Sequence, residues 1–200
     1  MIEVGDKEQA IKLAIGAGNA FPRQAKFFKR LEALAQLRLG RFPQAELLYS
    51  KLTDVGRADW WLMREYGQAL REVGKYQEAL VALSKAAQSG RKLEAMVSLF
   101  SEIGVICRQS DLKQDARNHL LLSKYIREKH GWATPEAICA GIADLNRELS
   151  DLPGPEVFDR VLAECQKFWT RTVGAEKDLR MPSLKSSEEN GQRTLKTGTA

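Results

Sequence analysis

Apolar residues along most of the chain recur at every third or fourth position, the spacing that gathers them on one side of an α-helix. The clearest case is a pair of helical stretches joined by a short turn, with the apolar set Trp60, Met63, Tyr66, Leu70, Tyr76, Ala79, Leu80, Leu83 and Ala86. Gly74 lies in the turn, where a residue without a Cβ suits the left-handed backbone that ends a helix. The pattern predicts an all-α fold built from antiparallel helix hairpins.

The helical pattern itself repeats along the chain. Residues 40–45 (Gly-Arg-Phe-Pro-Gln-Ala) match residues 74–79 (Gly-Lys-Tyr-Gln-Glu-Ala) at an offset of 34. Gly67 and Ala79 recur as Gly104 and Ala116 at an offset of 37, which indicates a third copy with a short insertion. Small residues at these places would let the two helices of a hairpin approach closely. A fixed period of this size is typical of stacked helical repeats.

These residues resemble the tetratricopeptide repeat, a helical hairpin of about 34 residues. Residues 60–93 fit best, with the family's pattern residues at Trp60, Gly67, Gly74, Tyr76, Ala79 and Ala86. The resemblance extends to residues 26–59 and 97–130, although the third turn, residues 108–114, lacks the usual glycine and aromatic residue. Residues 5–22 fit only the second helix of a unit. The resemblance implies a right-handed α-solenoid.

Two further helices are predicted after the repeats. Thr134 with Pro135 is a typical helix start, which gives a helix over about residues 135–150. Pro153-Gly154-Pro155 separates it from a last helix over about 155–173, and we expect the two to cap the solenoid. Residues 1–173 would then form one helical domain. Residues 174–200 are polar with few apolar positions, which predicts a flexible, disordered tail.

Composition and charge limit the classes of function that fit. The chain has 31 Lys and Arg against 26 Asp and Glu, a net charge of +5 that favours an acidic partner only weakly. Three cysteines without a CxxC pair indicate neither a disulfide framework nor a zinc site. No apolar stretch approaches the roughly 18 residues of a membrane span. We therefore expect a cytoplasmic protein that is not associated with a membrane.

No set of residues has the spacing of a catalytic or metal site. His119 lies inside a helical pattern and His130 at a helix end, and neither has a Cys or Asp at a metal-ligand spacing. Cys107, Cys139 and Cys165 fall on apolar helix faces, where a cysteine is expected to act as a small buried hydrophobe. Glycine-rich phosphate loops are absent too. The sequence predicts a protein that is not an enzyme and binds no cofactor or metal.

The resemblance implies a binding groove lined by the first helix of each hairpin. Ligands of the family are commonly held at fixed positions of these helices, which are occupied here by Arg30, Arg64, Arg71 and Arg108. Arginines that recur at equivalent positions would form two short basic rows able to pair with carboxylate or phosphate. The alternative is an ordinary solvated face, in which Glu65 and Glu72 neutralise their neighbours.

Aromatic residues near these arginines also fit either a binding groove or an ordinary solvated face. Of Trp60 and Trp61, only one side chain can point into the hairpin, and Trp60 holds the packed position. Trp61 would then face the groove, either as an exposed anchor for a partner or packed on the preceding repeat. The basic stretch over residues 23–41, with Phe27 and Phe28 interleaved, fits contact with nucleic acid or an acidic protein, and it also fits a solvated face.

Two hypotheses for function follow. In the first, the chain is a scaffold or adaptor whose groove takes an acidic segment of a partner protein, with contacts from Phe27, Arg30, Trp61, Arg64, Gln68, Arg71 and Arg108. In the second, the same arginines contact phosphates of a nucleic acid, and binding falls steeply with salt. The half unit at residues 5–22 leaves open whether another chain completes it, and the oligomeric state is open with it.

Overall fold

A computed structural model describes residues 4–53, 59–90, 92–149 and 157–179 of this chain. These residues are helical and contain no strand, which confirms the all-α prediction. The α-helices are α1 (Val4–Ala20), α2 (Ala25–Arg38), α3 (Phe42–Thr53), α4 (Trp60–Glu72), α5 (Tyr76–Ser89), α6 (Val97–Gln109), α7 (Lys113–Lys129), α8 (Glu136–Glu148) and α9 (Phe158–Leu179). Two 3-10 turns, Pro22–Gln24 and Leu93–Met96, lead into α2 and α6.

Consecutive helices pack against each other from α1 to α8. The pairs α2–α3, α4–α5 and α6–α7 are the hairpins expected for residues 26–59, 60–93 and 97–130. The helix α1 precedes the first hairpin, and α8 follows the last. The described residues therefore form a helical-repeat array, and the handedness of its superhelix stays a prediction.

The turns inside the three hairpins share one backbone geometry. The second residue after each first helix adopts a left-handed backbone, with φ of 75°, 80° and 57° at Gly40, Gly74 and Asp111. The N–H of the following residue donates to a carbonyl five positions back, over 3.0, 2.9 and 2.8 Å in the same order. This is the hydrogen bond of a Schellman motif. The third turn thus keeps the geometry without a glycine, because Asp tolerates positive φ better than most residues.

Close helix approach inside the hairpins accounts for the recurring small residues. A Cβ built on Gly67 would lie 2.6 Å from the Leu83 side chain, and one on Gly104 would lie 2.9 Å from the Leu120 side chain. Such distances are too short for non-bonded carbon atoms, so both positions need glycine while the neighbours stay in place. The packing role predicted for these glycines is confirmed.

The apolar core is unevenly distributed along the array. A large cluster of buried residues joins α4 to α9, whereas a small one lies between α2, α3 and α4. The helix α9 packs against both α5 and α7, and its buried Trp169 stacks on Phe100 with ring centroids 5.6 Å apart. We expected both closing helices to cap the end of the array. Instead α9 bridges the second helices of two hairpins, because its apolar side chains reach the Phe100 ring between them.

Helix α9 also passes the domain boundary expected at residue 173, since it ends at Leu179. The rest of the predicted tail, residues 180–200, lies outside the described residues.

Candidate binding surface

Side chains of the first helices link one hairpin to the next. We call the three ion pairs that do so the arginine ladder: Arg30 (α2) with Glu65 (α4), Arg64 (α4) with Glu102 (α6), and Arg108 (α6) with Asp144 (α8). We call the side of α2, α4 and α6 that carries these residues the first-helix face. The ladder connects helices that are adjacent in the repeat order.

The first two ion pairs of the ladder are bidentate and half-buried. Arg30 donates to both oxygens of Glu65, at 2.5 and 2.9 Å, and Arg64 donates to both oxygens of Glu102, at 2.5 and 3.2 Å. This geometry makes a strong charge-assisted contact. The hydrogen bonds to Glu65 and Glu102 raise the pKa of the two guanidinium groups, which are cations even without this shift.

Neutral side chains complete the coordination of the two glutamates. The Tyr49 hydroxyl donates to Glu65 at 3.2 Å, and the Gln68 amide donates to Glu102 at 2.9 Å. Burial, together with the nearby Glu65 charge, raises the pKa of Tyr49, which therefore stays a neutral donor. Each glutamate thus accepts three hydrogen bonds from the same chain, which fills most of the acceptor capacity of a carboxylate.

The sequence left open whether Trp61 is an exposed anchor or is packed on the preceding repeat, and the structure has elements of both. Its ring is 36% exposed, and the guanidinium carbon of Arg30 lies 4.3 Å from the ring centroid. Arg30 therefore contacts Trp61 by a cation–π interaction while it pairs with Glu65. Trp60 packs against the large core cluster, as expected. Trp61 is therefore contacted by the preceding repeat and is still partly exposed to solvent.

The first-helix face is apolar at its α2 end. Phe27 is 55% exposed, Leu31 one turn later is 37% exposed, and Leu34 is half-buried on the same side of α2. The corresponding side of α4 carries Trp61 and then polar residues. The sequence reasoning missed Leu31, although its place one turn after Phe27 was a signal for it.

The structure does not bring the predicted groove arginines together as unpaired basic rows. Arg71 pairs with its neighbour Glu72, and Gln68 binds Glu102. Arg30 pairs with Glu65, so both neutralising acids named from the sequence take that role. Glu102 and Asp144 were missed. The signal was available for Glu102, because it recurs 37 residues after Glu65 and each follows the arginine position directly.

Unpaired positive charge lies instead at the start of α2. Arg23, Lys26 and Lys29 are exposed and have no ion-pair or hydrogen-bond partner in the part of the chain that the structure describes. Residues 4–53 contain nine Lys and Arg against four Asp and Glu, a net charge of +5 that equals the charge of the whole chain. The basic character is therefore concentrated beside Phe27.

The histidine and cysteine side chains that could be reactive are mostly buried and take part in packing. His119 is fully buried, its Nε2 accepts the Trp169 indole N–H at 2.9 Å, and its Nδ1 lies 2.7 Å from the Asp115 carbonyl. Burial lowers the pKa of His119 to about 4, and burial raises that of the Cys107 thiol. Cys165 is buried as well, but Cys139 is exposed, so the expectation that it lies on a buried apolar face was wrong.

In the described ranges, no three His, Cys, Asp or Glu side chains are grouped so that they could hold a metal ion. None of the described helices combines the length and apolar character needed to cross a bilayer.

Comparisons with family models, with curated proteins and with solved structures found no match to this chain. The resemblance to the tetratricopeptide repeat therefore stays a prediction that rests on the pattern residues. A helical-repeat fold by itself hosts many functions, so the surface indicates more about function than the fold does.

Proposed function

We propose that this chain is a non-catalytic scaffold or adaptor that binds a segment of a partner protein on its first-helix face. The observation that carries the proposal is the exposure of two aromatic rings, Phe27 and Trp61, at equivalent positions of consecutive first helices. Exposed aromatic side chains beside apolar neighbours are typical of the residues that dominate binding energy. The contact would be centred between α2 and α4.

The arginine ladder limits what the partner can use for recognition. An acidic side chain that approached Arg30 or Arg64 would compete with Glu65 or Glu102, and a displaced glutamate would be left partly buried without its cation. The charged groups of the ladder are therefore already paired with each other and are not available to a partner's side chains. Lys26 and Lys29, which are free beside Phe27, are better placed for an acid. The expected partner segment has apolar residues for the rings and an acidic residue next to them.

Nucleic acid is the second candidate, and one observation favours it. Exposed Phe27 lies among the unpaired cations Arg23, Lys26 and Lys29, and single-stranded nucleic acids use aromatic stacking together with cations. The paired arginines of the ladder argue for the protein partner, because binding to phosphates needs cations that can leave their present contacts. Salt dependence separates the two candidates.

The test compares the double variant Phe27→Ala/Trp61→Ala with Trp132→Ala. Trp132 is 45% exposed and stacks on His130 between α7 and α8, so its removal controls for the loss of an exposed aromatic ring. Affinity capture from the native cells identifies proteins retained by the wild type, and titration calorimetry then measures each affinity. Loss of two anchors is expected to weaken binding by at least about tenfold, with helicity by circular dichroism unchanged.

Retention of the same proteins with equal affinity by the double variant would contradict the proposal. In parallel, a labelled single-stranded oligonucleotide is titrated at two salt concentrations. Binding by the wild type that falls steeply with salt, and that is lost in Lys26→Glu/Lys29→Glu, would establish the second candidate instead.

A further inference from the structure

Trp61 lies on the first-helix face, outside the apolar core. Its neighbour Trp60 packs against one of the two apolar clusters of the described residues, whereas Trp61 is part of neither. The Trp61 ring is 36% exposed. A large side chain at such a position ordinarily exchanges between rotamers, and a partner that binds it has to order it. The contact that fixes the ring therefore affects how well the ring can bind.

Arg30 approaches this ring from the preceding hairpin. Its guanidinium carbon lies 4.3 Å from the ring centroid of Trp61, while its Nε and Nη2 donate to the two carboxylate oxygens of Glu65. Trp61 and Glu65 are four positions apart in α4, so they lie on the same side of the helix, one turn apart. One guanidinium group thus contacts both residues, and its two bonds to Glu65 fix where it lies against the ring.

The carboxylate that fixes Arg30 is itself held in place. Tyr49 of α3 donates to Glu65 at 3.2 Å, and the Glu65 side chain is only 14% exposed. A planar guanidinium that donates from two nitrogens keeps one orientation, whereas a lysine ammonium is a compact charge on a flexible stem. The contact with Trp61 therefore depends on the shape of the arginine side chain as well as on its charge.

The next ion pair of the ladder forms without an aromatic ring. Arg64 donates to both oxygens of Glu102 in the same way. At the repeat offset of 37, however, the place of Trp61 is taken on α6 by Ser98, which is exposed. The ion pairs thus connect consecutive first helices whether or not a ring is present. The additional contact of Arg30 with Trp61 is particular to α2 and α4.

We propose that Arg30 is a positioning residue of the binding surface, whose guanidinium, fixed by Glu65, holds the Trp61 ring in the orientation that receives an apolar side chain of a partner. The proposal rests on the proposed function and adds that this anchor is ordered before the partner arrives. A ring that is already ordered loses less conformational freedom on binding. Ordering one side chain corresponds to roughly two- to tenfold in affinity.

Fluorine NMR of the full chain labelled with fluorotryptophan observes the ring without a partner. The chain has four tryptophans, and Trp61→Phe assigns the signal of Trp61. Arg30→Met/Glu65→Gln removes the guanidinium together with its carboxylate, so no unpaired charge is left partly buried. Arg30→Lys keeps the charge without the planar group. The matched control is Arg41→Met, which breaks another bidentate arginine–glutamate pair, formed with Glu8 of α1.

Both changes at Arg30 are expected to shift the Trp61 signal. The difference between its positions in light and heavy water should also increase, because the ring gains contact with solvent. The signals of Trp132 and Trp169 should keep their wild-type positions, and Arg41→Met should leave all four signals unchanged. The affinity for the proteins captured by the wild type should fall roughly two- to tenfold in Arg30→Met/Glu65→Gln and stay constant in the control.

An unchanged Trp61 signal in Arg30→Met/Glu65→Gln would overturn the proposal, as would a wild-type signal in Arg30→Lys. Equal shifts of all four signals would overturn it too, since Arg30 would then support the fold as a whole. So would a shifted Trp61 signal with undiminished affinity. The NMR measurement needs no partner, so it is separate from the test of the proposed function, which fails if Phe27→Ala/Trp61→Ala retains the captured proteins.

Discussion

The first three helices and the last six differ in how they are held together. Helices α4 to α9 share one large core. Helices α2 and α3 share only a small cluster with α4, and residues 4–53 leave a series of apolar side chains exposed: Leu13, Ile15, Phe21, Phe27, Leu31 and Leu47. The net positive charge of the chain lies in this first part too. Apolar surface that is not buried contributes no folding free energy.

The difference indicates a division of work between the two parts. The well-packed part positions α4 and α6, and Arg30 of the loosely packed part contacts Trp61 and pairs with Glu65 across the junction of the two parts. The loosely packed part presents Phe27 and its apolar and basic neighbours, which belong to the surface proposed to bind a partner. Regions with few buried apolar contacts open locally at lower free energy than the core. Amide hydrogen exchange is therefore expected to be fastest in α1 and α2.

The largest effect is expected from Trp169→Ala. This side chain is buried, stacks on Phe100 and donates to His119, so its removal leaves a cavity and an unpaired ring nitrogen. The free energy of unfolding should fall by about 3–5 kcal/mol, measured by chemical denaturation. Leu31→Ala, at an exposed position in the loosely packed part, should change it by less than about 1 kcal/mol. Equal losses in the two variants would contradict the difference between the parts.

A smaller effect is expected on lowering the pH, through His119. The Trp169 indole can only donate, so His119 accepts on Nε2 and carries its proton on Nδ1, toward the Asp115 carbonyl. Protonation of Nε2 would place its new N–H against the Trp169 indole N–H, so that two donors would face each other without an acceptor. Burial, with a smaller contribution from the Arg171 charge, lowers the folded-state pKa to about 4, against about 6.5 for an ordinary histidine.

The sign of the pH effect follows from proton binding. Between these pKa values the unfolded chain binds a proton that the folded chain rejects, so stability is full above about pH 6.5 and falls as the pH decreases. The expected loss is about 1.5 kcal/mol from pH 6.5 to 5, a range above the pKa of ordinary carboxyl groups. Denaturation of His119→Gln should show a flat profile there, and His130→Gln should keep the slope. A slope that persists in His119→Gln would refute this role.

Local rules account for the parts of the structure that the sequence predicted. The turns at Gly40 and Gly74, and the close approach at Gly67, depend on single residues and their nearest neighbours. The arginine ladder could not be predicted from such local rules. Arg64 could pair within its own helix or across to Glu102, and only the spacing of the packed helices decides between the two. The place of α9 was also unpredictable, since an amphipathic helix shows that one side is buried but not which neighbours bury it.

The smallest changes in the free energy of unfolding are expected from substitutions in the hairpin turns. They test whether the well-packed part carries backbone strain. Asp111 holds a left-handed backbone, and its side chain is 87% exposed with one long contact to Lys113 at 3.7 Å, which contributes little stability. Asp111→Gly should therefore raise the free energy of unfolding by about 0.5–1 kcal/mol, and Gly74→Ala should lower it by about 1 kcal/mol. Denaturation of both variants gives the comparison. No gain in Asp111→Gly would mean that the aspartate occupies this turn without strain, and that the third hairpin differs from the second in sequence but not in local energy.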